Sequence, residues 1–93
     1  MFLGSYRFEG EPEALSKGYD RLVAAIPTGM IELQLCVTST DAMTVFDTCP
    51  SAEVFAEFST SPEFAAAVSA AGLPAPIVEP LGEVHRVIAP GVP

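Results

Sequence analysis

Positive charge is scarce in this chain of 93 residues. Four Lys and Arg residues stand against twelve Asp and Glu residues, so the formal net charge is -8 at pH 7. A surface with this balance repels phosphate backbones and anionic lipid headgroups. The composition therefore argues against nucleic acid and against membrane surfaces as partners.

Long apolar runs, a secretory signal and clustered thiols are also missing. No apolar run approaches the roughly 18 residues that a membrane span requires. The opening MFLGSYRF has no basic segment, apolar core and cleavage site in succession, so we expect a cytoplasmic protein. Two cysteines and one histidine without CxxC or HxxxH spacing predict neither a metal site nor a bound cofactor.

Apolar residues, by contrast, are abundant for a chain of this length. They make up 49% of the sequence, and the mean hydropathy is +0.40. We expect a single domain over residues 1–89, followed by a loose tail at 90–93. Because a monomer of this size would leave much of its apolar surface in water, a homodimer is expected.

Periodicity and punctuation divide the chain into six elements in the order β-α-β-β-α-β. Strands are predicted at residues 2–8, 30–38, 43–48 and 77–89, with helices starting at Pro12 and Ser51. The second helix is expected to restart near Pro62 and to end at Gly72. Because Pro80 and Gly82 interrupt the last strand, it is expected at a sheet edge or with a bulge. This order predicts an α+β, ferredoxin-like fold, in which a four-stranded antiparallel sheet carries its helices on one face.

The second strand alternates cleanly between an apolar and a polar set of side chains. The apolar set is Ile31, Leu33, Leu35 and Val37, and we expect it under the helices. The expected helix–sheet core includes Leu22, Leu33, Phe55 and Phe58.

The hairpin between strands two and three is expected to pair Val37 with Thr44. That register pairs Gln34 with Asp47, Cys36 with Val45 and Glu32 with Cys49. It leaves Cys36 and Cys49 about four residues out of alignment, too far apart for a disulfide. The uncovered face of the sheet is then expected to carry Glu32, Gln34, Cys36, Cys49 and Asp47, together with Met43 and Val45.

Three stretches of the chain resemble one known group of proteins. They read TDAMTVFDTCPSAEVFAEF, AGLPAP and EVHRV, where the group shows TDDG-x-x-V-x-D-x-W-x-S-x-E-x-F, then AGLP-x-P and a final V-H. The chain is similar to the dimeric α/β-barrel superfamily, which includes antibiotic-biosynthesis-monooxygenase-like domains. Within it, the chain most resembles short actinobacterial members of unassigned activity. Cys49 stands where that group commonly has Trp, and Gln34 stands where it often has His.

This resemblance, which covers nearly the whole chain, implies a dimer whose sheets pair into a barrel. It also implies a cofactor-free oxygenation or a proton-transfer rearrangement of a small molecule. The expected ligand is largely apolar and lies between sheet and helices. The alternative is a non-catalytic binding or interaction module, in which the polar sheet face only specifies the dimer.

Five residues are candidates for the pocket: His85, Asp47, Gln34, Cys49 and Cys36. Asp47 lies within a strand, where aspartate is disfavoured, so it needs a partner or a pocket role. His85 could serve as acid, base or donor beside Asp47, or as a structural strand histidine. Cys49 could act as a nucleophile only with a stabilised thiolate; otherwise both cysteines are small buried hydrophobes.

Overall fold

The computed structural model describes residues 1–26, 33–89 and 91, and its elements follow the predicted order. They are β1 (Phe2–Glu9), α1 (Pro12–Ala25), β2 (Gln34–Thr38), β3 (Ala42–Cys49), α2 (Ala52–Ser59), α3 (Pro62–Ala70) and β4 (Ile77–Glu83). The strands form one antiparallel sheet in the order β2-β3-β1-β4. This is the predicted α+β, ferredoxin-like arrangement. The expected residues Met30, Ile31 and Glu32 of the second strand lie outside the described part of the chain.

Side-chain caps fix where each helix begins. Glu11 accepts hydrogen bonds from the backbone N–H groups of Glu13 and Ala14, at 3.0 and 2.9 Å. Ser51 caps α2 through the Val54 N–H at 3.2 Å, and Ser61 caps α3 through the Phe64 N–H at 3.1 Å. A second cap followed by a proline stops one helix and starts another. The predicted restart at Pro62 is therefore confirmed.

The end of α3 is closed by glycine and by an arginine from α1. Gly72 has φ +79°, and the N–H of Leu73 donates to Val68 O at 3.1 Å, as in a Schellman motif. The Arg21 guanidinium donates to Ala71 O through Nε at 3.0 Å and Nη2 at 2.8 Å. These bonds satisfy terminal carbonyls of α3 and join it to α1.

The last strand is shorter than predicted, because it ends at Glu83 rather than at residue 89. Among the described residues it pairs with β1 alone, and Phe2 lies opposite Glu83. The Val84 N–H still donates to Met1 O at 2.8 Å, and residues 84–89 are not part of the strand. The expected edge position and bulge are both present, since the register shifts between Leu3 and Gly4.

The predicted register of the β2–β3 hairpin is confirmed, but the face assigned to it was wrong. Gln34 lies opposite Asp47, Cys36 opposite Val45 and Val37 opposite Thr44. The helices cover the face that carries Gln34, Val45 and Asp47. Leu35 and Val37, expected in the core, are 57% and 50% exposed on the open face.

The central strands decide which face is covered. Phe2, Tyr6 and Phe8 of β1 form one row and lie opposite Cys49, Val45 and Met43 of β3. All six side chains are buried. The edge strand β2 must follow this register, so Gln34 and Cys36 lie on the covered face and Leu35 and Val37 face outward.

The core lies between this covered face and the three helices. Leu22 and Phe55 are buried as predicted, Phe58 packs half-buried against the core, and Leu33 is 36% exposed on the open face. Gly18 of α1 leaves room for Leu73, whose Cδ2 would lie 2.6 Å from an added Cβ. Of the helices described, none combines the length and apolar character needed to cross a bilayer.

Candidate functional site

A cavity of about 60 Å³ lies between the covered face and the helices. This volume is several times what one water molecule needs. The lining is largely aromatic and aliphatic: Tyr6, Phe8, Tyr19, Leu22, Val23, Ile26, Val45, Val54, Phe55, Phe58 and Phe64, with Gln34, Asp47 and Cys49. A few polar groups in an apolar concavity are typical of small-molecule sites.

Asp47 places a carboxyl group in this apolar lining. It projects from β3, the strand between β2 and β1, opposite Gln34 on one side and Gly4 on the other. Its Oδ1 atom is buried and has no hydrogen-bond partner among the described residues. Burial raises the pKa of Asp47 from 3.8 to about 6, because an apolar environment disfavours the ionised form. The group therefore changes its charge close to neutral pH.

Tyr6 supplies a second unsatisfied polar atom in the same cavity. Its side chain is 4% exposed, and its hydroxyl has no hydrogen-bond partner within the described residues. Tyr6 lies opposite Val45, so it is the diagonal neighbour of Asp47. Burial is the largest cause that raises the pKa of Tyr6, and the nearby Asp47 and Cys49 raise it further. The phenol therefore stays protonated and can donate a hydrogen bond.

A hydrogen bond from Tyr19 to Gln34 joins α1 to the edge strand beside Asp47. The Tyr19 hydroxyl donates to Gln34 Oε1, and both side chains are half-buried. Burial, followed by Cys36, Asp20 and Asp47, raises the pKa of Tyr19. Because Oε1 is engaged by a donor, the amide group is oriented and its Nε2 hydrogens remain available for donation.

The two cysteines lie on the covered face but in different surroundings. Cys49 is buried in the cavity wall, and its Sγ donates to the backbone oxygen of Ser51 at 3.2 Å. Cys36 is exposed and is not among the described residues that line the cavity. Partial burial, followed by Asp20, raises the pKa of Cys36, which keeps this thiol protonated at neutral pH.

His85 stands apart from the other candidates. It follows the end of β4, is exposed, and is not among the described residues that line the cavity. β4 pairs with β1 and not with β3, so β1 separates His85 from the strand of Asp47. Of the five candidates, the structure brings together Asp47, Gln34 and Cys49, with Cys36 nearby.

Sequence reasoning missed the two tyrosines of the site. Neither Tyr6 nor Tyr19 is among the five candidates that the sequence offered. The available signal was the row Phe2, Tyr6 and Phe8, because three aromatic side chains on one side of a central strand indicate the covered face. The register of β1 against β3, which the structure supplies, places Tyr6 diagonally opposite Asp47.

Scans against protein families, curated proteins and solved structures find no match. Within the described ranges, no group of three or more His, Cys, Asp and Glu side chains is placed to hold a metal ion.

Proposed function

We propose that the protein binds a small, largely apolar organic molecule in this cavity and moves a proton on it. The observation that carries the proposal is the pair of unsatisfied polar atoms, Asp47 Oδ1 and the Tyr6 hydroxyl, in one apolar cavity. Buried polar atoms without partners are rare in folded proteins and call for an explanation. A ligand with a polar group would satisfy both.

The two groups suit complementary steps of a proton transfer next to a carbonyl. Asp47, with a pKa of about 6, is mostly ionised at neutral pH and serves as the base that removes a proton from carbon. The electron pair left behind moves onto the carbonyl oxygen, which accepts a hydrogen bond from the neutral Tyr6 phenol. Return of the proton to another carbon completes an isomerisation.

The resemblance to antibiotic-biosynthesis-monooxygenase-like domains fits this chemistry. A cofactor-free oxygenation would begin with the same deprotonation, and dioxygen would then be the oxidant that attacks the carbanion. Asp47 belongs to the part of the chain that carries the resemblance, whereas Tyr6 does not. Proton transfer is the step for which the cavity supplies both groups.

The proposal includes a homodimer formed through the open sheet face. Leu35, Val37 and Ile77 are 57%, 50% and 54% exposed there, and Phe46 is half-buried beside them. Four strands at ~4.8 Å spacing and up to ~27 Å long present on the order of 500 Å² before side-chain relief is counted. This approaches the ~800 Å² per partner of a standard interface. A second copy presents an equally apolar face, which a charged partner would not.

The alternative is a binding module without catalysis. It would bind a ligand or a partner without moving a proton, and Asp47 would serve only as a binding or structural residue. The raised pKa of Asp47, caused by burial, and the unsatisfied Tyr6 hydroxyl favour the first proposal.

The test is deuterium exchange next to a carbonyl, measured by proton NMR. Small apolar carbonyl compounds in D2O are mixed with the wild type, Asp47→Asn or Tyr6→Phe. We expect the wild type to accelerate exchange, Asp47→Asn to abolish the acceleration while binding persists, and Tyr6→Phe to reduce it by about 100-fold. Binding without acceleration by the wild type would favour the module, and neither binding nor exchange would overturn the proposal.

A further inference from the structure

Asp47 lies between two hydrogen-bond donors on neighbouring strands. In the sheet order β2-β3-β1, Gln34 is directly opposite Asp47 on one side, and Tyr6 is its diagonal neighbour on the other. Directly opposite side chains have Cβ atoms about 5 Å apart, and diagonal ones about 7 Å. All three line the same cavity. A single oxygen on the ligand would engage only one of the two flanking donors.

We propose that the ligand is a 1,3-dicarbonyl compound, such as a β-ketoester, with its central carbon at Asp47 and its two oxygens at Tyr6 and Gln34. This inference rests on the proposed function and names the substrate class of the same site. A molecule with two oxygens flanking one acidic carbon matches the donor–carboxylate–donor order of the three side chains. The apolar cavity wall accommodates the hydrocarbon ends.

The proposed step is a reversible deprotonation of the central carbon by Asp47. The C–H bond between the two carbonyl carbons breaks, and its proton passes to a carboxylate oxygen of Asp47. The electron pair spreads over both carbonyl oxygens, one receiving the Tyr6 O–H and the other a Gln34 N–H as hydrogen-bond donors. Sharing the charge between two oxygens brings the acidity of the carbon closer to that of a carboxyl group.

Tyr19 is the positioning residue in this arrangement. By donating to Gln34 Oε1, it engages the amide oxygen and leaves Nε2 as the group that can donate to the ligand. An amide turned the other way would place its oxygen near the developing negative charge, which would be repelled. Removal of the Tyr19 hydroxyl should therefore weaken selectivity without removing any group that contacts the ligand.

Two isomeric probes test the inference. Ethyl 2-methylacetoacetate carries its carbonyl groups on either side of one C–H, whereas ethyl 4-oxopentanoate has the same atoms with the carbonyl groups one carbon further apart. Exchange of each in D2O is followed by proton NMR with and without protein. We expect the wild type to accelerate exchange of the first isomer at least tenfold more than that of the second, each relative to its uncatalysed rate.

Variants on β2 and α1 separate the donor from general effects on the fold. Gln34→Leu should lower the acceleration for the 1,3-isomer by about 100-fold and abolish the preference between isomers. Tyr19→Phe should reduce the preference, and Thr38→Val, which alters the same face of β2 outside the cavity lining, should leave it unchanged.

The outcomes separate this inference from the proposed function. Equal acceleration of both isomers, or an unchanged preference in Gln34→Leu, would overturn the substrate class and leave the proton transfer standing. No binding and no acceleration of either isomer would overturn both. Because the two isomers are compared within each variant, partial unfolding cannot imitate a change in preference.

Discussion

Asp47 is the most informative residue of this protein, because it places a carboxyl group within a β-strand. Asp47 is disfavoured by strand propensity and by burial, and the fold nevertheless keeps it on the covered face of its third strand. Stability is therefore given up at the position where the chemistry is proposed. Such a trade is common at functional sites, where groups with shifted pKa values collect.

The raised pKa of Asp47 has a measurable consequence for stability. Folded protein holds this proton up to about pH 6, whereas the unfolded chain releases it near pH 3.8. Below the lower value the two states hold the proton equally, and the free energy of unfolding falls as the pH rises through the window between the two values. Relative to Asp47→Asn, we expect the wild type to lose about 1–2 kcal/mol between about pH 4 and pH 7, after allowance for partial solvation.

Urea denaturation at several pH values measures this difference. The asparagine variant keeps the shape of the side chain and removes its titration, so other groups cancel in the comparison. Parallel pH curves for the two proteins would show that Asp47 titrates as an exposed carboxyl group.

Helix α2 contributes two aromatic side chains, Phe55 and Phe58, to the lining of the cavity. Phe55 is buried, and its ring lies 5.6 Å from those of both Phe2 and Tyr6. Phe58, one turn further on, is half-buried and contacts Phe64 with the ring centroids 4.8 Å apart. Phe55 and Phe58 therefore differ in burial and in ring contacts, although they look equivalent in the sequence.

Alanine substitution should distinguish these two positions. Phe55→Ala removes a buried ring that packs on Phe2 and Tyr6, and it should lower the free energy of unfolding by about 3–5 kcal/mol. Phe58→Ala removes a side chain that is already partly hydrated and should cost roughly half as much. Chemical denaturation of both variants provides the measurement, and equal costs would mean that the burial of α2 has been assigned wrongly.

The elements could be predicted from the sequence because their signals are local. The caps Ser51 and Ser61, the prolines Pro12 and Pro62 and the glycine at 72 each act within one turn of the chain. The hairpin register was likewise predictable, since polar and apolar residues alternate in β2. The covered face was not predictable from β2, because an edge strand takes its orientation from strands that are distant in sequence. Gln34 and Asp47 were recognised as a pair, but the burial that makes them a site depends on β1.

At the scale of the whole molecule, the open sheet face is an exposed apolar surface that still needs a partner to cover it. It carries Leu35 and Val37 of β2 together with Phe46 and Ile77, and no helix of the described chain lies over it. Exposed apolar patches of several hundred Å² commonly mark interfaces. The proposed dimer would leave the cavities on the outer side of the paired sheets, each beneath its own helices.

A charge introduced on this face should separate the subunits. Leu35→Lys would bury a lysine against its counterpart in the second copy, so we expect a monomer of ~10 kDa at micromolar concentration where the wild type sediments as a dimer. Ala56→Lys adds the same charge to an exposed position of α2 and should leave the dimer intact. A wild type that sediments as a monomer would contradict the proposal.

The space beside Asp47 depends on Gly4 of β1 as well as on the residues that line the cavity. It lies opposite Asp47, and a Cβ at this position would collide with the Phe55 ring. Substitutions at these two positions are therefore coupled: β1 can gain a side chain here only if α2 carries a smaller one. A related chain adapted to a bulkier or slimmer ligand would be expected to change both positions together, and a double-mutant cycle would register their interaction as strongly non-additive.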